Sequence, residues 1–173
     1  MKIKTFNLGE KNLKDIPEWF SCKYCIYWEF PCSKKEKKED MLKMKLEWLK
    51  NTKKRFGNCG KLIYADNKCV GYSQYAPPEF LPNSKNYSIT PSKDAVLISC
   101  LFIPQKEFRN LGLGTLLLKS ITDEMEKRKI KTIETFARKD NPENPSGPVE
   151  FYLKNRFKIY KDDKEFPLMR VDL

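Results

Sequence analysis

The stretch Arg109-Asn110-Leu111-Gly112-Leu113-Gly114 has the residue types to seat a phosphate or pyrophosphate. Its two glycines stand at the entry to an amphipathic helix, and the first turn of a helix carries backbone N–H groups with no partner inside the helix. The helix dipole adds to their pull on an anion. The dinucleotide pattern G-x-G-x-x-G is not met, because Thr115, Leu116 and Leu117 follow Gly114, and the P-loop pattern G-x-x-x-x-G-K-[ST] is absent. Short glycine turns are common, so a tight strand-to-helix turn that binds nothing is the competing reading of these six residues alone.

Other chemistry is narrowed by an absence. The 173 residues contain no histidine, which excludes Ser-His-Asp and Cys-His nucleophilic catalysis and every metal site that uses histidine. Acid–base work falls to carboxylates, Tyr, Lys, Cys, backbone or water. Cys22-x-x-Cys25, with Cys32 and Cys59, would offer four thiolates to zinc. A second C-x-x-C is missing, however, and aromatic neighbours from Trp19 to Phe30 favour burial of these thiols as small apolar groups. The expectation is a structural thiol set without metal. Cys100, inside an apolar run, has no histidine to activate it as a nucleophile.

The elements that must position the glycine turn are legible around it. Ala95–Ile103 is a nearly continuous apolar run and reads as a strand buried on both faces. Leu113, Leu116, Leu117, Ile121 and Met125 recur at helical spacing, and Asp123/Lys127 and Glu124/Arg128 are favourable i,i+4 pairs. Lys61–Ala65 and Cys69–Tyr75, joined through Asp66-Asn67-Lys68, read as a β-hairpin. Lys131–Ala137 alternates as a strand. Lys139–Pro148 is a loop, after which Gly147 is expected to cap a helix that begins at Pro148 and packs through Val149, Phe151, Tyr152 and Leu153. Lys158–Tyr160 and Leu168–Val171 are weaker strand readings. Upstream, residues 1–33 read as irregular and aromatic. Lys34–Asp40 leads into a helix through about Lys50, with an apolar face of Met41, Leu42, Met44, Leu46, Trp48 and Leu49.

Formal charge is +11, from 34 Lys and Arg against 23 Asp and Glu. Such an excess suits an anionic partner, although the lysines are scattered and much of the charge reads as solvated surface. No RNA-recognition signature accompanies it, so nucleic acid is not the expected partner. No signal-peptide core and no membrane-length apolar run is present; a cytoplasmic setting with reduced cysteines is expected.

Arg109–Gly114 resembles the [QR]-x-x-G-x-[GA] pyrophosphate loop of the GNAT N-acetyltransferase superfamily, and it follows Leu101-Phe102-Ile103, where that family has a short apolar triplet. The resemblance runs from about Lys61 to the C-terminus. It includes Val70-Gly71-Tyr72 and the late segment Phe151-Tyr152-Leu153-Lys154-Asn155-Arg156-Phe157, in which Arg156 stands where the family often has glycine. Cys22-x-x-Cys25-x-Tyr27-Trp28-Glu29 resembles a prokaryotic subgroup. The resemblance implies acetyl-CoA as cosubstrate, with no metal. Leu101, Phe102 and Ile103 would hold the pantetheine arm, Arg109, Asn110, Leu111, Gly112, Leu113, Gly114 and Thr115 the phosphates, and Asn144 a further cofactor contact. A backbone N–H near Leu101 would polarise the acetyl carbonyl. Tyr152 would protonate the leaving thiolate, and Glu134, unless it faces solvent, would act as base through water.

The fold expected is a single α/β (α+β) domain with a mixed, mostly antiparallel sheet flanked by helices: an N-terminal segment over residues 1–60 and a core sheet over residues 61–173. The activity expected is direct acetyl transfer to a primary amine of a small molecule or a protein, with a homodimer left open. The rival readings are the same fold with another acyl chain or an oxygen acceptor, and a non-catalytic module that binds coenzyme A or nucleic acid.

Overall fold

The computed structural model describes residues 1–30, 37–141 and 143–173. Among these, seven strands form one sheet in the order β1-β2-β3-β4-β5-β7-β6. They are β1 Ile3–Asn7, β2 Gly60–Ala65, β3 Lys68–Ala76, β4 Val96–Phe102, β5 Thr132–Phe136, β6 Lys158–Lys161 and β7 Leu168–Asp172. Helices α1 Lys38–Arg55, α2 Leu113–Lys127 and α3 Val149–Lys154 cover them. All neighbouring strands are antiparallel except β4 and β5. A parallel pair needs a long crossover, and α2 provides it. The mixed, mostly antiparallel sheet flanked by helices is the architecture expected from the element order.

Two apolar layers sandwich the sheet. On one face Leu113, Leu117, Leu118, Ile121 and Met125 of α2 pack with Val96, Ile98, Leu101 and Ile133, and Tyr152 of α3 joins them. On the other, Trp48 and Leu49 of α1 and the N-terminal residues Leu13, Ile16, Phe20 and Trp28 cover Leu62, Tyr72, Leu97 and Phe136. Each fully buried side chain of this size contributes roughly 1.5–3 kcal/mol. Between β2 and β3, Asp66 and Asn67 both take positive φ (47° and 66°), the two-residue turn whose twist matches a hairpin.

Several expectations need correction. Residues 3–7 are not irregular; they form the edge strand β1 on β2, and its short run with lysines at Lys2 and Lys4 hides the alternation. Helix α1 continues to Arg55 rather than ending near Lys50. Leu116 is exposed and Leu118 takes its place in the core, because at 100° per residue the stripe through Leu113, Leu117, Ile121 and Met125 lies nearer Leu118. Asp123 pairs with Lys119 at 2.7 Å rather than with Lys127, while Arg128–Glu124 forms at 3.2 Å. Helix α3 begins one residue later than expected, with Pro148 as its N-cap.

Strand β4 contains the irregularity that matters for the site. Gln74 pairs with Cys100 but Tyr75 pairs with Ile98, so Ser99 is an extra residue opposite β3. Its hydroxyl donates to the Gln74 carbonyl at 3.2 Å. A bulge of this kind bends the strand and sharpens its twist. On the other side of β4, the last pair with β5 is Ile98 with Thr135. Beyond it β4 runs on to Phe102 without β5.

Candidate active site

The parting of β4 from β5 leaves one edge of residues 99–102 without a strand partner from β5. Leu101, Phe102 and Ile103, expected to line a cofactor arm, lie on this stretch and at its exit. Leu101 is buried on the α2 side, and its amide donates to the Pro145 carbonyl at 3.1 Å. Phe102 faces the other way, edge-on to Phe20 at 5.9 Å, with the Arg109 guanidinium 5.7 Å from its ring centre.

Arg109 fixes the glycine turn to the end of β4. Its Nε donates to the Ile103 carbonyl and its Nη2 to the Pro104 carbonyl, both at 2.8 Å, and Nη1 pairs with Glu143 Oε1 at 2.6 Å. The same ion pair holds the Glu143 carboxyl below the usual carboxylate range. Asn110 (φ 59°) and Gly112 (φ 77°) both take the left-handed conformation. Gly112 is the N-cap of α2, and no side chain caps the helix. A Cβ built on Gly112 would meet nothing within 4 Å, so the helix start opens onto free space. Leu111, Thr115 and Asn110 are exposed around it, whereas Leu113 points into the core and can offer only its backbone.

The second glycine has a different reason. A Cβ on Gly114 would lie 3.2 Å from Phe151 Cε2. Close packing of α2 on α3 therefore demands a small residue there whatever the turn binds.

Tyr152 reaches the floor of the same gap. It is fully buried, burial pushes its phenol well above the ordinary range, and its hydroxyl donates to the Ser146 carbonyl at 2.8 Å. Asn144 is part of the turn that delivers that carbonyl: its Oδ1 accepts from the Ser146 amide and its carbonyl from Gly147, both at 2.9 Å. The geometry thus brings Leu101, Arg109, Asn144 and Tyr152 together around residues 143–147.

Glu134 is not brought there, and its expected role as base needs correction. Its side chain is fully buried beside Leu97, one pair before β4 and β5 part. It accepts from the Ser92 amide at 2.8 Å and hydroxyl at 2.6 Å and pairs with Arg170 at 3.2 Å. Both oxygens are occupied, and the side chain does not face solvent.

A second buried carboxylate, which the sequence reading did not single out, lies on the face of β3 and β4 opposite α2. Glu29 Oε1 accepts from Gln74 Nε2 at 2.9 Å and lies 3.5 Å from Lys45 Nζ, while Oε2 has no partner among the described residues. Tyr72 completes the cluster by donating to Gln74 Oε1 at 2.5 Å. Burial works against the Lys45 charge, yet Tyr72 and Glu29 keep its pKa well above that of an ordinary lysine. Glu29 also lines a surface cavity with Phe30, Trp48, Thr52 and Phe80. The one signal that pointed toward it was its place at the end of the Cys-x-x-Cys-x-Tyr-Trp-Glu segment.

The cysteines of that segment are buried or half-buried. A thiol–thiol hydrogen bond to Cys22, with burial, pushes Cys100 well up, and burial lifts Cys59 to about 12. Cys32 lies outside the described residues. Among the described residues no group of three or more Cys, Asp or Glu side chains is placed to hold a metal ion. No helix is long and apolar enough to cross a membrane.

Comparison with known proteins gives this geometry a family. The fold is similar to that of the PaiA N-acetyltransferase from Thermoplasma acidophilum, solved in complex with coenzyme A, at 16% identity and a TM-score of 0.65 with all of both chains covered. It is also similar to an acetyltransferase from Thermus thermophilus, at 15% identity and a TM-score of 0.63 over 100% of this chain and 98% of that one. An N-acetyltransferase from Staphylococcus aureus matches at 14% identity and 0.60, again over 100% and 98%. No curated protein matches the chain. The model of the Acetyltransferase (GNAT) family matches residues 15–156, well over half the chain, and the protein belongs to that family of acetyltransferases.

Proposed function

We propose that the protein transfers an acetyl group from acetyl-CoA to a primary amine by direct attack. The observation that carries this reading is the uncapped start of α2 beside the edge of β4 that β5 leaves, with the Tyr152 hydroxyl at the floor of the same gap. In this reading the amides at Gly112–Thr115 receive the pyrophosphate. The arm lies along Leu101–Ile103, and the backbone there polarises the thioester carbonyl. The neutral amine attacks the carbonyl carbon and the C–S bond breaks. The thiolate takes the Tyr152 proton, and the amine gives up a proton to a base.

The acceptor approaches from the face opposite α2. Two buried carboxylates lie on that face. Glu134 is saturated by Ser92 and Arg170, whereas Glu29 keeps one oxygen without a partner and borders a cavity open to the surface. Glu29 is therefore the better candidate to take the amine's proton. Gln74, which holds it, pairs directly with Cys100, the neighbour of Leu101. Exposed Trp19, stacked on Phe20 at 5.9 Å, adds an apolar lip beside Phe102.

Titration calorimetry with acetyl-CoA, followed by thiol release across a panel of amines, amino acids and peptides, tests the reading. Saturable acetyl-CoA binding and amine-dependent thiol release are expected. Failure to bind acetyl-CoA would overturn it.

A further inference from the structure

The segment Glu143–Gly147 touches three of the groups assigned to the cofactor, and each contact has the chemistry of the cofactor part it would exclude. The Glu143 carboxylate pairs with Arg109 of the glycine turn at 2.6 Å, an anion beside the seat of the pyrophosphate. The Pro145 carbonyl accepts from the Leu101 amide at 3.1 Å, as an amide of a strand-like arm would. The Ser146 carbonyl accepts from the Tyr152 hydroxyl at 2.8 Å, on the proton expected to go to sulfur. Phosphate, arm and thiolate are thus matched by carboxylate, carbonyl and carbonyl, in that order along one short stretch of chain.

The stretch is built to hold this shape. Asn144 closes it internally, through its side chain to the Ser146 amide and its carbonyl to the Gly147 amide, both at 2.9 Å. Gly147 takes φ 79°, and a Cβ there would lie 3.3 Å from the Tyr152 ring, so the turn is pressed onto Tyr152. Pro145 has no N–H and can offer β4 only an acceptor.

We infer that Glu143–Gly147 is an internal occupant of the cofactor track, which acetyl-CoA must displace in order to bind and which frees the Leu101 amide and the Tyr152 hydroxyl only when it leaves. The inference rests on the cofactor site proposed above. Occupancy by the chain itself lowers apparent cofactor affinity by the fraction of time the track is filled. It also keeps two buried donors satisfied while no cofactor is present.

The test combines one variant with one measurement that does not depend on charge. Glu143→Gln removes the partly exposed ion pair and should tighten CoA binding about two- to fivefold, the range of such a pair. In the parent protein, saturating CoA should speed hydrogen exchange at the Arg138 amide, which donates to the Gly147 carbonyl at 2.8 Å and loses that partner when the segment withdraws. Unchanged or slower exchange at that amide on saturation overturns the inference, as does weaker CoA binding by Glu143→Gln. Should the parent fail to bind CoA at all, the underlying cofactor site is wrong instead, so the two failures are distinguishable.

Discussion

Glu124 of α2 accepts a hydrogen bond from Lys61 of β2 at 2.8 Å, which staples the helix to the outer half of the sheet. Asn58 (2.8 Å), Tyr75 (3.1 Å) and Arg128 (3.2 Å) converge on the same carboxylate. Burial alone would raise its pKa, but the bonds from Lys61 and Asn58 outweigh burial and lower it. A carboxyl whose folded value lies below its unfolded one, about 4.3, stabilises the fold above that pH, and the contribution disappears as pH falls through the folded value. Glu124→Gln should therefore cost about 2 kcal/mol near neutrality, the worth of hydrogen bonds to a charged group. Urea unfolding at pH 7 and at about pH 3 checks the sign: the gap between parent and variant should narrow in acid. A gap that widens in acid would mean the carboxylate is not held in its charged form.

Gly112 and Gly114 separate two demands that look alike in sequence. A side chain at Gly112 enters open space, so Gly112→Asn and Gly112→Asp impose nearly the same backbone cost, since both residues tolerate the left-handed conformation. They differ by one negative charge at the helix start. Acetyl-CoA affinity should fall about tenfold or more in the Asp variant relative to the Asn variant, equivalent to at least ~1.4 kcal/mol. Equal affinities measured by calorimetry would move the pyrophosphate elsewhere.

Tyr152→Phe keeps the ring and removes the hydroxyl. If that hydroxyl gives its proton to the thiolate, kcat should drop about 10²–10⁴-fold. Affinity for acetyl-CoA should hold or rise, because the Ser146 carbonyl loses its donor. Steady-state kinetics on one acceptor decide the matter, and parental kcat would remove Tyr152 from the chemistry.

Arg156 ends α3 with φ 72°, a conformation that suits glycine, and its side chain is exposed. Arg156→Gly should raise stability by about 1 kcal/mol by relieving left-handed strain. A thermal melt that shows no gain, or a loss, would indicate that the guanidinium has a compensating role.

What could be read from the sequence was local. The Asp66-Asn67 turn, the glycine entry to α2 and the apolar Ala95–Ile103 run each carry their signal within a few residues. What escaped depends on partners distant in the chain. Lys45 looks like one more surface lysine of α1 until Cys25, Glu29 and Tyr72 enclose it. Glu134 looks available until Ser92 and Arg170 claim it. Arg156 was the intermediate case, because the missing glycine was visible and the positive φ it forces could be expected.

The bulge at Ser99 also was invisible, since both faces of β4 are apolar and the change of phase leaves no mark in hydrophobicity. Ile98 and Leu101 share the α2 face while Leu97 and Cys100 share the other, an arrangement that strict alternation forbids. The consequence concerns how this strand can vary over time. Residues on either side of Ser99 can be exchanged for others of similar bulk, and loss of that single residue would leave Ile98 and Leu101 two positions apart, still on one face; what would go is the bend that the extra residue puts into β4. Such a deletion would spare both apolar layers and straighten the strand beside Leu101, so the extra residue serves the shape of the site rather than the packing of the core.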